Sequence, residues 1–345
     1  MTETRTDVDR LVVELLDATG AHANRDLLRE IFAAAVELSE QGTSRLDLKI
    51  VSAAIAEMSD AFRMFAPYKA VPKVTIFGSA RTAPTDALYA QARELAQRMS
   101  QAGWMVVTGA GPGIMAAGAE GAGPEMAIGV NIRLPFEQVP SDTFAHDPKL
   151  VQMRYFFTRK LMLMKESSGF VALPGGFGTL DETFELMTLL QTGKAEPAPI
   201  VLVDCPGDSY WAGFERFVRE QVIDRKLASP DDSALYRITD NVDTAMAEIT
   251  GFYRNYHSRR FVGATMVIRL KLGVSDEELD RINREFAGIC GPAGIRRTEA
   301  LPAERSGRDH VELPRIALEF DRTHHGRLRM LIDELNRCNG PGAAS

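Results

Sequence analysis

MRYFFTRKLMLMKESSGFVALPGGFGTLDETFE, residues 153–185, sets a helical stretch, a short apolar run and a glycine turn in direct succession. Met153, Phe156, Phe157, Leu161 and Met164 recur at helical intervals, which predicts an amphipathic helix within 150–166. The run GFVAL at 169–173 is too short for a helix and is closed by Pro174-Gly175-Gly176, so it reads as a buried strand. A second helix, 179–192, starts straight from the glycines. Helix, strand, glycine turn and helix in this order form the repeating unit of a parallel α/β sheet.

The alternation extends in both directions. Further strands are predicted at 73–78, 104–108, 126–132 and 199–203, with a shorter one near 235–238. Helices are predicted at 86–102, 112–121, 210–226 and 241–256. Residues 71–257 therefore read as a doubly wound, Rossmann-like α/β domain whose ligand is expected at the carboxyl ends of its strands. Residues 1–70 show helical periodicity only, as in Leu27, Leu28, Ile31, Phe32 and Ala35, and form an N-terminal helical extension. From 258 the order becomes strand 262–271, helix 275–288, strands near 294–299 and 312–319, and helix 324–337. That order predicts a small ferredoxin-like α+β module over 258–338, followed by a mobile tail, 339–345.

Composition narrows the function. Forty basic against 47 acidic side chains leave a net charge of −7, and the last module carries 15 basic and 13 acidic groups, so no nucleic-acid footprint is present. No apolar run is long enough to cross a bilayer and the first residues lack an apolar leader core, so a cytoplasmic protein without a membrane partner is expected. Cys205, Cys290 and Cys338 form no CxxC pair and the six histidines no HExxH pair, so no metal is expected.

Two glycine turns could cradle a phosphate: Gly109-Ala110-Gly111-Pro112-Gly113 and Pro174-Gly175-Gly176-Phe177-Gly178-Thr179. Backbone N–H groups approach an anion where Cβ atoms are absent, and the following helix turns its positive dipole end toward it. Neither turn ends in Gly-Lys-Ser/Thr. The acidic ribose ligand of a dinucleotide fold is also missing, because position 131 is Asn. No cofactor is expected. Thr179-Leu-Asp-Glu182 admits a purely structural account as well, a capping box at a helix start.

Glu182 follows Arg159 by 23 residues, and with the Arg159-Lys160 pair, PGGFGTLDE and TGAGPGIM the region from 72 to 256 resembles the LONELY GUY (LOG) family of nucleoside-monophosphate phosphoribohydrolases. Ala110 stands where relatives more often carry glycine. The resemblance implies hydrolysis of the N-glycosidic bond of a nucleoside 5'-monophosphate, AMP or a cytokinin riboside monophosphate, to free base and ribose 5-phosphate. It implies Arg159 and Glu182 as catalytic residues, and Gly113, Lys160, Gly175, Gly176, Gly178, Thr179 and Glu185 as substrate-binding ones. A homo-oligomer, dimer or larger, is expected, with the outer segments building contacts or modulating access. Two other functions compete. Pyridoxal-phosphate decarboxylation would need Lys160 or Lys194 as its Schiff base, and neither lies in a cofactor motif. A non-catalytic nucleotide sensor or cofactor carrier would use the same cradle without reacting.

Overall fold

The structure, a computed structural model, describes residues 2–20, 22–133, 144 and 147–340. The chain divides into two units with the boundary after Ser59. The first contains α1 (Thr2–Ala18), α2 (Arg25–Glu40) and most of α3 (Arg45–Phe65). Arg25 reaches from α2 to Asp17 of α1 at 2.6 Å. No residue of α2 is buried, and its apolar stripe, with Leu27 and Ile31, stays exposed.

The second unit opens with β1 (Lys73–Phe77), α4 (Ala87–Gln101), β2 (Met105–Thr108), α5 (Ile114–Ala122) and β3 (Ala127–Ile132). It continues through β4 (Leu150–Met153), α6 (Phe156–Lys165), β5 (Gly169–Ala172), α7 (Phe177–Gln191), β6 (Ile200–Val203), α8 (Tyr210–Phe217), β7 (Arg237–Thr239) and α9 (Val242–Gly251). The seven strands form one sheet in the order β4-β3-β2-β1-β5-β6-β7, every neighbouring pair parallel. This is the doubly wound fold expected of the sequence.

The central strands are buried along their whole length because helices cover both faces. All of β1, KVTIF, is buried. Its one charge is satisfied, since Lys73 Nζ donates to the carbonyls of Tyr68 and Val71 at 2.7 and 3.0 Å. Val74, Ile76, Val106, Val171 and Val201 pack with Leu95 and Met99 of α4, Ile114 of α5 and Ile249 of α9 into one core. Thr75 Oγ1 donates to Leu163 O at 3.1 Å and ties α6 to β1.

Strand β4 departs from the expectation. Residues 150–153 were predicted as the start of a helix, whereas they pair with β3 as an edge strand and the helix begins only at Phe156. LVQM is short enough to fit either state, and pairing along β3 decides it.

The C-terminal module also differs. It contains β8 (Tyr256–Val262), β9 (Thr265–Leu270), α10 (Asp276–Phe286), β10 (Arg296–Arg297), α11 (Pro302–Gly307), β11 (Arg315–Leu318) and α12 (His325–Arg337), with sheet order β10-β11-β9-β8. The single strand expected at 262–271 is a hairpin: Val262 faces Thr265 across a two-residue turn whose Gly263 has φ +63°. The helix expected to reach residue 256 stops at Gly251, which frees Tyr256 to begin β8. Two strands therefore precede α10, in place of the one expected of the ferredoxin-like order. The tail beyond residue 340 lies outside the described residues.

The module is fastened to the Rossmann-like part by a buried amide. Asn336 Oδ1 on α12 accepts the N–H groups of Asn255 and Tyr256, both at 2.8 Å, and its Nδ2 donates to Phe252 O at 2.6 Å. Arg329, also on α12, pairs with Glu248 of α9. An Asn336→Leu substitution keeps the branched shape of the side chain but strands two donors and one acceptor. It is expected to cost about 2–4 kcal/mol, read as a lower urea midpoint at unchanged m-value.

Candidate active site

The strand order reverses between β1 and β5. Connections leave these two strands in opposite directions, so a crevice opens above their carboxyl ends. A cleft of about 800 Å³ occupies this position. Its walls come from the β1 turn (Gly78, Ser79, Ala80, Arg81), Gly109 after β2, Phe156 and Arg159 of α6, the β5 turn with the first residues of α7, and Tyr210 of α8.

The β5 turn is held from two sides. Ser79 N–H donates to Pro174 O at 3.2 Å, and Tyr210 Oη donates to Gly175 O at 2.7 Å. Gly175 has a packing reason to be glycine, because a Cβ there would run into the Thr179 side chain. Gly176 and Gly178 have none: no atom lies within 4 Å of the place where either Cβ would stand. Gly176 is the N-cap of α7, so the N–H groups that follow it have no carbonyl within the helix to bind. Bare N–H groups, a helix dipole and open space together make an anion cradle.

The capping box does not form. Helix α7 starts at Phe177, two residues before Thr179, and no side chain caps it. Thr179 and Glu182 are instead buried inside the helix. Glu182 is only 6% exposed, and its Oε2 is buried without a hydrogen-bond partner among the described residues. Burial pushes its carboxyl up to about 7. Lys160 and Arg159 oppose that shift, and Glu185 and Asp181 add to it.

Arg159 projects from α6 across the end of the sheet, with Nε donating to Val130 O at 3.0 Å. Its guanidinium lies where a Cβ on residue 109 would stand, so glycine at 109 makes room for it. Gly113 takes a different place from the one expected. It is the N-cap of α5 at φ +67°, packs against the backbone of Ser79 and Ala80, and lets Ile114 N–H donate to Ser79 O at 3.0 Å. It does not line the cleft. Lys160 and Glu185 do not line it either: they pair with each other at 2.6 Å, and Lys160 also meets Asp181 at 2.7 Å.

Sequence reasoning passed over Ser79, Arg81, Phe156 and Tyr210. The Gly78-Ser79-Ala80 turn was itself a signal, since it follows the first strand of a Rossmann-like sheet. Nothing local marks Tyr210, whose role depends on the β5 turn lying against it. Among the described residues no group of three or more His, Cys, Asp or Glu side chains is placed to hold a metal ion. No helix there is long and apolar enough to cross a membrane.

Fold and cleft together define a Rossmann-like α/β protein with a buried carboxylate beside an open, glycine-lined helix start. A family model described as "Possible lysine decarboxylase" matches residues 112–249. Over 171 residues the chain is 31% identical to a cytokinin riboside 5'-monophosphate phosphoribohydrolase of Mycobacterium tuberculosis, covering 47% of this chain and 86% of the relative. A probable enzyme of the same name from Oryza sativa subsp. japonica is 30% identical over 101 residues, 29% of this chain and 46% of the relative. The molybdenum cofactor binding protein of Rippkaea orientalis aligns in structure at 18% identity and TM-score 0.36, over 51% of this chain and 93% of that one. The chain belongs to the LOG family of phosphoribohydrolases.

Open space at Gly178 yields a test. Gly178→Ala adds a methyl group in the first turn of a helix without a clash, so stability should hold or rise by about 0.5 kcal/mol. Nucleotide affinity should fall by about tenfold or more, because the methyl group occupies the cradle. Thermal melting and calorimetric titration with AMP check the two halves.

Proposed function

We propose that the protein hydrolyses the N-glycosidic bond of a nucleoside 5'-monophosphate, such as AMP or a cytokinin riboside monophosphate, to free base and ribose 5-phosphate. The observation that carries this reading is Glu182: a buried carboxyl group with one oxygen unpartnered among the described residues, beside a cationic arginine and next to an open helix start. No structural task accounts for it.

The 5'-phosphate enters the cradle at Gly176, Gly178 and Thr179, which brings the ribose over Glu182. As the bond from C1' to the base nitrogen breaks, its electron pair leaves with the base and positive charge develops on the sugar. The ionised carboxylate stabilises that charge and takes a proton from the attacking water, whose oxygen joins C1'. The departing base takes a proton from solvent, and Glu182 afterwards releases to solvent the one it received, which returns the carboxylate to its ionised form. Arg159 keeps its charge throughout and holds phosphate or ribose oxygens, fixing geometry. We further propose that a second copy of the chain covers the exposed stripe of α2, giving a dimer or larger assembly. Light scattering should return at least twice the monomer mass.

Adenine release measured over a panel of nucleoside monophosphates tests the reaction. AMP should turn over on the order of 100-fold faster than adenosine, because binding energy at the phosphate positions the sugar. A stable AMP complex without free adenine would identify a sensor or carrier instead.

Glu182 also ties rate to pH. The reaction needs its ionised form, so kcat/KM should climb through pH 7 and level off above it. Stability runs the opposite way. The folded-state pKa lies above the ordinary 4.5, so the folded chain holds a proton that the unfolded chain has released, and stability declines as pH rises from about 4.5 to 7. Glu182→Gln should therefore melt higher than wild type at pH 8 while losing turnover by about 100-fold.

A further inference from the structure

Lys160 follows Arg159 on α6 but serves a different neighbour. Its ammonium lies 2.7 Å from Asp181 Oδ2 and 2.6 Å from Glu185 Oε2, and only 13% of its side chain is exposed. Asp181 immediately precedes Glu182, and Glu185 follows it by three residues, so the two carboxylates held by Lys160 flank the buried one on α7. Building on the phosphoribohydrolase reading above, we infer that Lys160 is a positioning residue, an ionic clamp from α6 onto α7 that fixes Glu182 in place and supplies its countercharge without touching the nucleotide.

The geometry leaves little room for the roles that sequence alone allowed this lysine. A substrate ligand must turn its donors to the cleft, and a Schiff-base lysine must lose its proton. Here two carboxylates engage the ammonium. Burial works against its charge, yet the bonds to Asp181 and Glu185 prevail and hold its pKa above the ordinary value. An ammonium kept protonated is a poor nucleophile.

Four charged groups act on Glu182: Arg159 and Lys160 from α6, and Asp181 and Glu185 from its own helix. Arg81 of the β1 turn and Tyr210 of α8 line the same cleft. Three carboxylates within five residues repel one another, and Lys160 is the cation placed among them. Without it the two flanking acids lose their common partner and Glu182 retains its proton to higher pH. Methionine preserves the unbranched stem and removes only the charge, whereas arginine preserves the charge.

The decisive measurement is made on the full chain without substrate. Infrared difference spectra across pH, with the band of Glu182 assigned by its loss in Glu182→Gln, give the titration midpoint. Lys160→Met should raise that midpoint by about one unit or more, and Lys160→Arg should restore it to within about half of the shift. Glu185→Gln should move it downward, which keeps the test open if the methionine variant does not fold. In adenine release from AMP, Lys160→Met should shift the acid limb of kcat/KM upward by the same interval while KM stays within about twofold.

A midpoint unmoved in both Lys160→Met and Glu185→Gln overturns the clamp. So does a KM raised tenfold or more at an unmoved midpoint, the mark of a substrate ligand. Failure of the wild-type chain to release base from any nucleoside monophosphate overturns the proposed reaction, and the substrate-free titration still decides the clamp.

Discussion

Two parallel strands that sit side by side but send their connections in opposite directions cannot be roofed by either connection. That constraint, at β1 and β5, underlies what the rest of this structure does. Right-handed crossovers carry the chain from β1 toward β4 on one side and from β5 toward β7 on the other. The gap left above them is filled by turns, and both turns carry a glycine for want of space, since a Cβ on Gly78 would run into the Ile114 side chain and one on Gly175 into that of Thr179. The cleft follows from the topology, and its chemistry from the few side chains able to reach it.

Glu182 shows how such a position acquires reactivity. A carboxyl group on the exposed side of α7 would titrate in the usual acid range and stabilise nothing in particular. Inside the helix packing it keeps its proton to about neutral pH, so it changes charge close to pH 7. The cost is a buried oxygen without a partner, a defect that protein interiors avoid unless something else is served by it.

Much of this could be read from the sequence, and the failures have identifiable causes. Strands such as KVTIF and PIVLV are apolar enough, and bounded clearly enough by turn residues, to be placed to within a residue or two. LVQM at β4 gave no such signal, because a four-residue edge strand directly before a helix carries the apolar spacing of both. The β8–β9 hairpin was missed because Gly263-Ala264 interrupts an otherwise continuous β-forming run without any of the usual polar turn residues. At the cleft, the identities of Arg159, Glu182 and the β5 glycines were legible from motif and spacing. The place of Lys160 was not: helix geometry turns consecutive side chains about 100° apart, but which neighbours Lys160 then meets depends on how α7 packs against α6. The capping-box account of Glu182 failed for a related reason: the N-cap is Gly176, three residues before the Thr179 that the Thr-to-Glu spacing suggests.

Gly109 and Arg159 occupy, in effect, a single site. The guanidinium fills the volume that any side chain at 109 would claim, although one residue belongs to the turn after β2 and the other to α6. Neither position is free to drift while the other stays. Among descendants of this chain, any side chain at 109 would displace the guanidinium from its present place, so such a change is disfavoured for as long as the arginine must stay there. Loss of the arginine removes the nearer of the two obstacles at 109 and leaves only the flexible Met115 side chain, so positions 109 and 159 should carry correlated histories even though no hydrogen bond between them need exist.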